Sequence, residues 1–308
     1  GISFYTLEII SYLTDVYRGT IKAEHNFAKV ALYLSFFPQT MEGPIARFSE
    51  TADDLYAGRG ITFNNLKFGY QRIAWGLFKK MVVADRFYYM VSYIFSNYQK
   101  LDGSIMLVGA MAYTAQLYME FSGGMDIIIG SGQIFGITLP ENFRQPFASK
   151  NASEFWRRWH ISLGTWFREY VYIPLGGNRK GVKRQIINLL IVWALTGLWH
   201  GAAWNFVIWG LYYGILLIFE KFVYVHLQKR LPKFLNVVIT FIVVIIGWVF
   251  FFSNNMTEAV SYLKAMFGQS GCSHDGMGGF LLLNNLVMII LAWIPSVFDF
   301  KEGKKKSS

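Results

Sequence analysis

Residues 234–252 read Phe-Leu-Asn-Val-Val-Ile-Thr-Phe-Ile-Val-Val-Ile-Ile-Gly-Trp-Val-Phe-Phe-Phe, with no charged side chain. About 20 mainly apolar residues are what a helix needs to cross the hydrocarbon layer of a bilayer. Lipid offers no hydrogen bonds, so the backbone of such a run must satisfy its own N–H and C=O groups, and a helix does so within the segment. Comparable apolar runs occupy residues 104–119, 127–137, 186–198, 204–219 and 280–293. Charged residues make up 16% of the chain and mean hydropathy is +0.32, whereas a soluble domain carries about 25% charged residues. These features predict an all-α, polytopic membrane protein.

The net charge of +10 does not point to nucleic acid. The Lys and Arg residues cluster between apolar segments, as in cytoplasmic loops, and no nucleic-acid motif accompanies them. The single cysteine, Cys272, excludes an intrachain disulfide. With His274 two residues away it reads as an ordinary loop pair rather than a thiol–base pair. No charged leader with a cleavage site opens the sequence. A G-x-x-x-x-G-K-[ST] loop, a G-x-S-x-G elbow and a zinc-ligand spacing are all lacking, which argues against nucleotide and serine hydrolysis.

Polar residues within apolar sequence are the candidates for chemistry. His160 and His200 lie 40 residues apart in aromatic surroundings. An imidazole can accept and return a proton near neutral pH, but in lipid it is costly and must face a bundle interior or water. The plain alternative is a core or interfacial histidine. Glu120 and Asp126 are acids in apolar sequence and so functional candidates. The competing reading, stronger for Glu120, pairs them with Arg144 or Arg168.

Other stretches give local expectations. Residues 38–47 contain Pro38, Gly43 and Pro44, predicting a broken segment buried in protein or lining a cavity. Residues 48–64 read as a polar loop. Residues 66–84 predict an amphipathic helix whose Arg72, Lys79, Lys80 and Arg86 mark a cytoplasmic surface, continued by residues 87–95. His25 and His226 read as solvated loop residues. Ser153 predicts the N-cap of an amphipathic interfacial helix over 154–170, with apolar residues at three- to four-residue spacing. Residues 176–184 form a basic loop.

Three motifs carry a resemblance: Glu154-Phe-Trp-Arg-Arg-Trp-His160 and onward to Tyr172; Pro174-Leu-Gly-Gly-Asn-Arg-Lys-Gly181; and Leu198-Trp-His-Gly201. They resemble the membrane-bound O-acyltransferase (MBOAT) family, in particular its alginate and polysaccharide O-acetyltransferase branch. The resemblance implies an MBOAT-type helical core with re-entrant and interfacial helices. It implies one transmembrane domain over 1–308, lacking some N- and C-terminal helices of the full family chain.

For chemistry, the resemblance implies His200 as general base, with His160 orienting the acceptor or stabilising an oxyanion. Trp199, Trp156, Trp159, Arg168, Asp126 and Asn205 would bind or support substrate. Arg179, Lys180, Lys183 and Arg184 would meet the donor or a partner, the plain alternative being a positive-inside loop. It implies no metal and no tightly bound cofactor, the donor being acetyl-coenzyme A or an acyl-carrier thioester. The implied partners are the lipid bilayer, an extracytoplasmic acetyltransferase protein, an acyl-carrier protein and a polysaccharide acceptor, in a multi-pass bacterial inner-membrane setting without nucleic acid. The family has Tyr where this chain has Gly124, so packing differs there. D-alanyl transfer to teichoic acid, or a membrane transporter, are the competing readings.

Overall fold

The computed structural model describes residues 1–40, 42–269 and 277–297. Among these residues the architecture is all-α, without a strand. The α-helices in chain order are α1 Ile2–Tyr17, α2 Phe27–Ser35, α3 Phe48–Tyr56, α4 Phe63–Leu77, α5 Asp85–Ser96, α6 Gly103–Ile134, α7 Ala152–Arg158, α8 Ile161–Phe167, α9 Val182–His200, α10 Trp204–Phe219, α11 Val225–Gln228, α12 Lys233–Phe252, α13 Met256–Lys264, α14 Met277–Asn284 and α15 Leu286–Val297. Two compact units divide the chain. One comprises residues 1–80, 120–143 and 160–175, the other 81–119, 144–159 and 176 onward.

In the first unit α4 and the second half of α6 touch backbone to backbone. A Cβ at Gly76 would strike the Gly123 carbonyl oxygen, and one at Gly130 would strike that of Gly69. The glycines lie seven residues, or two turns, apart on each helix, so one face of each is bare where they cross. This close approach seats an ionic network. Asp126 accepts from Arg72 Nε at 2.9 Å and lies 2.6 Å from Lys79 Nζ. Lys79 also donates to Ser122, and Arg72 grips Glu141 with both Nη atoms at 2.7 and 2.6 Å.

Several expectations change here. Arg72 and Lys79 do not mark a cytoplasmic surface: seven residues apart, they share the face turned to α6, and Lys79 is buried. Asp126 pairs with them rather than with Arg144 or Arg168. Glu120 is half exposed and pairs with Lys80 at 2.8 Å. The runs 104–119 and 127–137 belong to one helix ending at Ile134, because Gly123 is required by the crossing and does not break it. A Cβ at Gly124 would meet open space.

The polar stretch 48–64 is not all loop. Its first part is α3, started by Glu50 accepting from the Arg47 backbone N–H; low hydropathy hid this surface helix. In the broken segment 38–47, Pro38, Gln39 and residues 43–46 are buried, as expected, whereas Glu42 is exposed. Its backbone is satisfied by side chains, with Tyr33 Oη donating to Ala46 O at 2.7 Å and Ile45 N to Ser162 Oγ at 3.0 Å.

The second unit is built on the α9–α10 hairpin. Gly197 lies against the Phe206 backbone and Gly210 against the Trp193 carbonyl. The α10 continuation to Gln228 and α12 are the two helices long and apolar enough to cross a membrane among the described residues. The expected span 280–293 is interrupted: α14 ends at Asn284 and α15 begins at Leu286. His25 and His226 are exposed, His226 on the short α11 rather than in a loop. Cys272 and His274 lie outside the described residues.

Candidate active site

His200 is the last residue of α9. Its ring meets Trp199, Trp209 and Phe251 edge-to-face, with centroids 4.9, 5.1 and 5.2 Å away. Among the described residues no side chain hydrogen-bonds to its imidazole. The ring is thus flanked by aromatic side chains, and among the described residues its nitrogens are not committed to a carboxylate. Such a histidine can take a proton from an incoming hydroxyl without a protein relay.

The aromatic enclosure has a sequence origin. Asn205, Trp209 and Tyr213 recur every four residues along α10 and are all buried, a stripe on one helix face. Asn205 Nδ2 donates to Ser253 O at 2.8 Å and ties the start of α10 to the end of α12. Trp156 on α7 packs edge-to-face against Trp193, Trp209 and Tyr213. Trp159 stacks on Phe155, and Trp248 packs beside it. The structure thus brings His200, Trp199, Trp156, Trp159 and Asn205 into one unit. Sequence reasoning missed Trp209, Trp193, Tyr213, Trp248 and Phe251; the four-residue period along α10 was the available signal.

What orients α7 is Glu220. Its carboxylate accepts from the N–H groups of Ala152 at 2.6 Å and Ser153 at 3.2 Å, satisfying donors that a helix start leaves open. The N-cap is Asn151, whose Oδ1 accepts from Glu154 N at 2.7 Å, and not Ser153, whose own N–H is held by Glu220. Burial pushes the Glu154 carboxyl up, but the Lys150 N–H and the Arg158 guanidinium outweigh it and hold it below its ordinary value. Replacing Glu220 with Ala leaves the buried Ala152 amide and the part-buried Ser153 amide without this acceptor, a loss of about 1–3 kcal/mol. Thermal unfolding of the purified complete protein measures it, and Glu220→Gln, which still accepts, is expected to lose less.

His160 belongs to the other unit. The expected helix over 154–170 is broken in front of it: Trp159 is extended, and His160 has φ 47° and ψ 53°, in the left-handed region. A neighbouring strap holds the break. Asn142 accepts from Ile161 N through its backbone oxygen at 3.1 Å and from Ser162 N through Oδ1 at 2.8 Å. The imidazole is 3% exposed and lies edge-to-face with Phe121 at 4.9 Å. A non-glycine residue in this conformation costs about 1–3 kcal/mol, so the protein pays to place a histidine there. His160→Gly is expected to keep or raise thermal stability while lowering activity. His160→Asn, which tolerates the conformation and still hydrogen-bonds, is expected to retain more activity than His160→Gly.

The remaining candidates scatter. Asp126 is engaged by Arg72 and Lys79. Arg168 is exposed, 3.9 Å from Glu169. Arg179 and Lys180 lie in a turn, whereas Lys183 and Arg184, expected in the loop, sit in the first turn of α9. All four are exposed. Cations at a helix N-terminus oppose its dipole, so their placement does not serve the helix.

The family model for the membrane-bound O-acyltransferase family matches residues 5–260. A probable alginate O-acetylase of Pseudomonas aeruginosa is 43% identical over 267 residues, covering 87% of this chain and 51% of that protein. A peptidoglycan O-acetyltransferase of Helicobacter pylori is 37% identical over 305 residues, covering 89% of this chain and 57% of that protein. A teichoic acid D-alanyltransferase of Bacillus subtilis is 30% identical over 269 residues, covering 82% of this chain and 68% of that protein. The chain therefore spans just over half the length of the first two. The likeness extends across both units and through the His160 and His200 segments: the chain belongs to the membrane-bound O-acyltransferase family.

Proposed function

We propose that the complete protein transfers an acyl group, acetyl, from a thioester donor on the cytoplasmic side to hydroxyls of an extracytoplasmic polysaccharide. The observation that carries this reading is His200, set in an aromatic enclosure with no protein partner on its imidazole among the described residues. As the acceptor oxygen adds to the thioester carbonyl, His200 takes its proton and then returns it to the leaving thiol. The water-poor aromatic walls favour ester formation over hydrolysis. His160 serves as an orienting hydrogen-bond group, a role its strained backbone supports.

The exposed Arg179, Lys180, Lys183 and Arg184 suit the phosphates of coenzyme A or an acidic acyl-carrier protein. The setting is a multi-pass bacterial inner-membrane protein that hands its acyl group to a periplasmic or extracellular partner. Acetyl is preferred to D-alanyl because the O-acetyltransferase relatives are 37–43% identical and the D-alanyltransferase 30%. Membership of an acyltransferase family weighs against a transporter.

The test is thiol release. Liposomes carrying the complete protein are given acetyl-coenzyme A or acetyl-loaded carrier protein, and free thiol is followed with and without polysaccharide. Acceptor-dependent thiol release is expected. Solute uptake without thiol release would support a transporter instead.

A further inference from the structure

The buried indoles around His200 include donors that the fold leaves unused. The Nε1 atoms of Trp156, Trp209 and Trp248 are buried and have no hydrogen-bond partner among the described residues. Trp209 is 1% exposed and Trp248 2%. A buried donor without an acceptor costs about 1–3 kcal/mol, and Phe would fill much of the same space without that cost. Three such donors in one aromatic cluster are more than packing requires.

Trp209 differs from the other two by position. It meets the His200 ring at 5.1 Å, and both rings meet Phe251, at 5.1 and 5.2 Å. Trp248 stacks on Trp209 at 6.0 Å and makes no ring contact with His200 among the described residues. Trp156 also contacts Trp209 but not His200. The Asn205 amide nitrogen is already committed to Ser253 O, which removes it as a competing donor.

We propose that the Trp209 indole N–H donates a hydrogen bond to the carbonyl oxygen of the acyl donor and stabilises the charge that gathers there. This rests on the acyl-transfer reading above. When the acceptor oxygen bonds to the carbonyl carbon, its proton passes to His200 and the carbonyl π electrons move onto oxygen. That oxyanion is held by Trp209 Nε1. Its collapse re-forms the C=O, breaks the C–S bond, and the thiolate takes the proton back from the imidazolium. A preorganised donor at a developing oxyanion, in a site of low dielectric, acts on the transition state more than on the bound donor.

The experiment compares Trp209→Phe and Trp248→Phe with wild type in membranes carrying the complete protein, using [14C]acetyl-coenzyme A and acetyl-loaded carrier protein as donors. Label entering polysaccharide gives kcat and KM at matched protein abundance. Trp209→Phe is expected to lose about 100-fold in kcat, the effect of removing one oxyanion donor, with KM within twofold. Trp248→Phe, which alters the same enclosure without touching the His200 ring, is expected to lose no more than a few-fold in kcat. Wild-type kcat in Trp209→Phe, or equal losses in both variants, overturns the proposal, the first by making the N–H idle and the second by making the effect one of packing. If Trp209→Phe does not fold, benzothienylalanine at position 209 keeps the ring shape and removes the N–H, and the same kcat loss is expected. Absence of transfer by wild type from either donor would overturn the acyl-transfer reading itself and this proposal with it.

Discussion

Asp126→Leu is expected to destabilise the protein by about 3–5 kcal/mol, the range seen when one member of a buried ion pair is removed. Asp126 is the shared acceptor for Lys79 at 2.6 Å and Arg72 at 2.9 Å, in a buried seam. Arg72 keeps Glu141 after the change, and Lys79 keeps its hydrogen bond to the Ser122 hydroxyl. The loss comes from removing the one carboxylate that both cations share. The double variant Lys79→Met/Asp126→Leu removes both members of the 2.6 Å pair and is expected to recover part of the lost stability. Thermal unfolding of the detergent-purified complete protein measures both. A single variant as stable as wild type would mean that water reaches the seam.

His200→Ala is expected to lower acyl transfer by about 10²- to 10⁴-fold, the range for removal of a positioned acid–base group. His200→Phe is the sharper variant. It preserves the edge-to-face contacts with Trp199, Trp209 and Phe251, so abundance and thermal stability are expected to match wild type. Its activity is expected to fall as far as that of His200→Ala, because a phenyl ring cannot take a proton. An active His200→Phe would reduce His200 to an aromatic packing residue. Initial rates at matched membrane abundance separate the two cases.

The apolar runs made the helical class legible, since uncharged stretches such as residues 234–252 have no other solution in lipid. The histidines stand out as candidates for a related reason: imidazole in aromatic, apolar sequence is costly to place. What the sequence concealed was pairing. Nothing in the spacing of Arg72 and Lys79 names Asp126 as their partner until Gly69, Gly76, Gly123 and Gly130 are seen to bring two backbones together. The break at His160 was concealed as well, because the left-handed position is occupied by a histidine rather than a glycine, and its cause, the Asn142 strap, lies 18 residues upstream. Glu220, 68 residues beyond Ala152, gave no local sign of holding α7. The Trp209 face is readable from its four-residue period with Asn205 and Tyr213 along α10.

The most direct test of the central claim is the transfer of label from [14C]acetyl-coenzyme A, and from acetyl-loaded carrier protein, into polysaccharide by membranes carrying wild type or His200→Ala complete protein at equal abundance. Label entering the polymer from one of these donors with wild type, and near background with His200→Ala, is the expected result. Equal labelling by the two proteins would contradict the account, because the acyl transfer would then proceed without the base on which it is built.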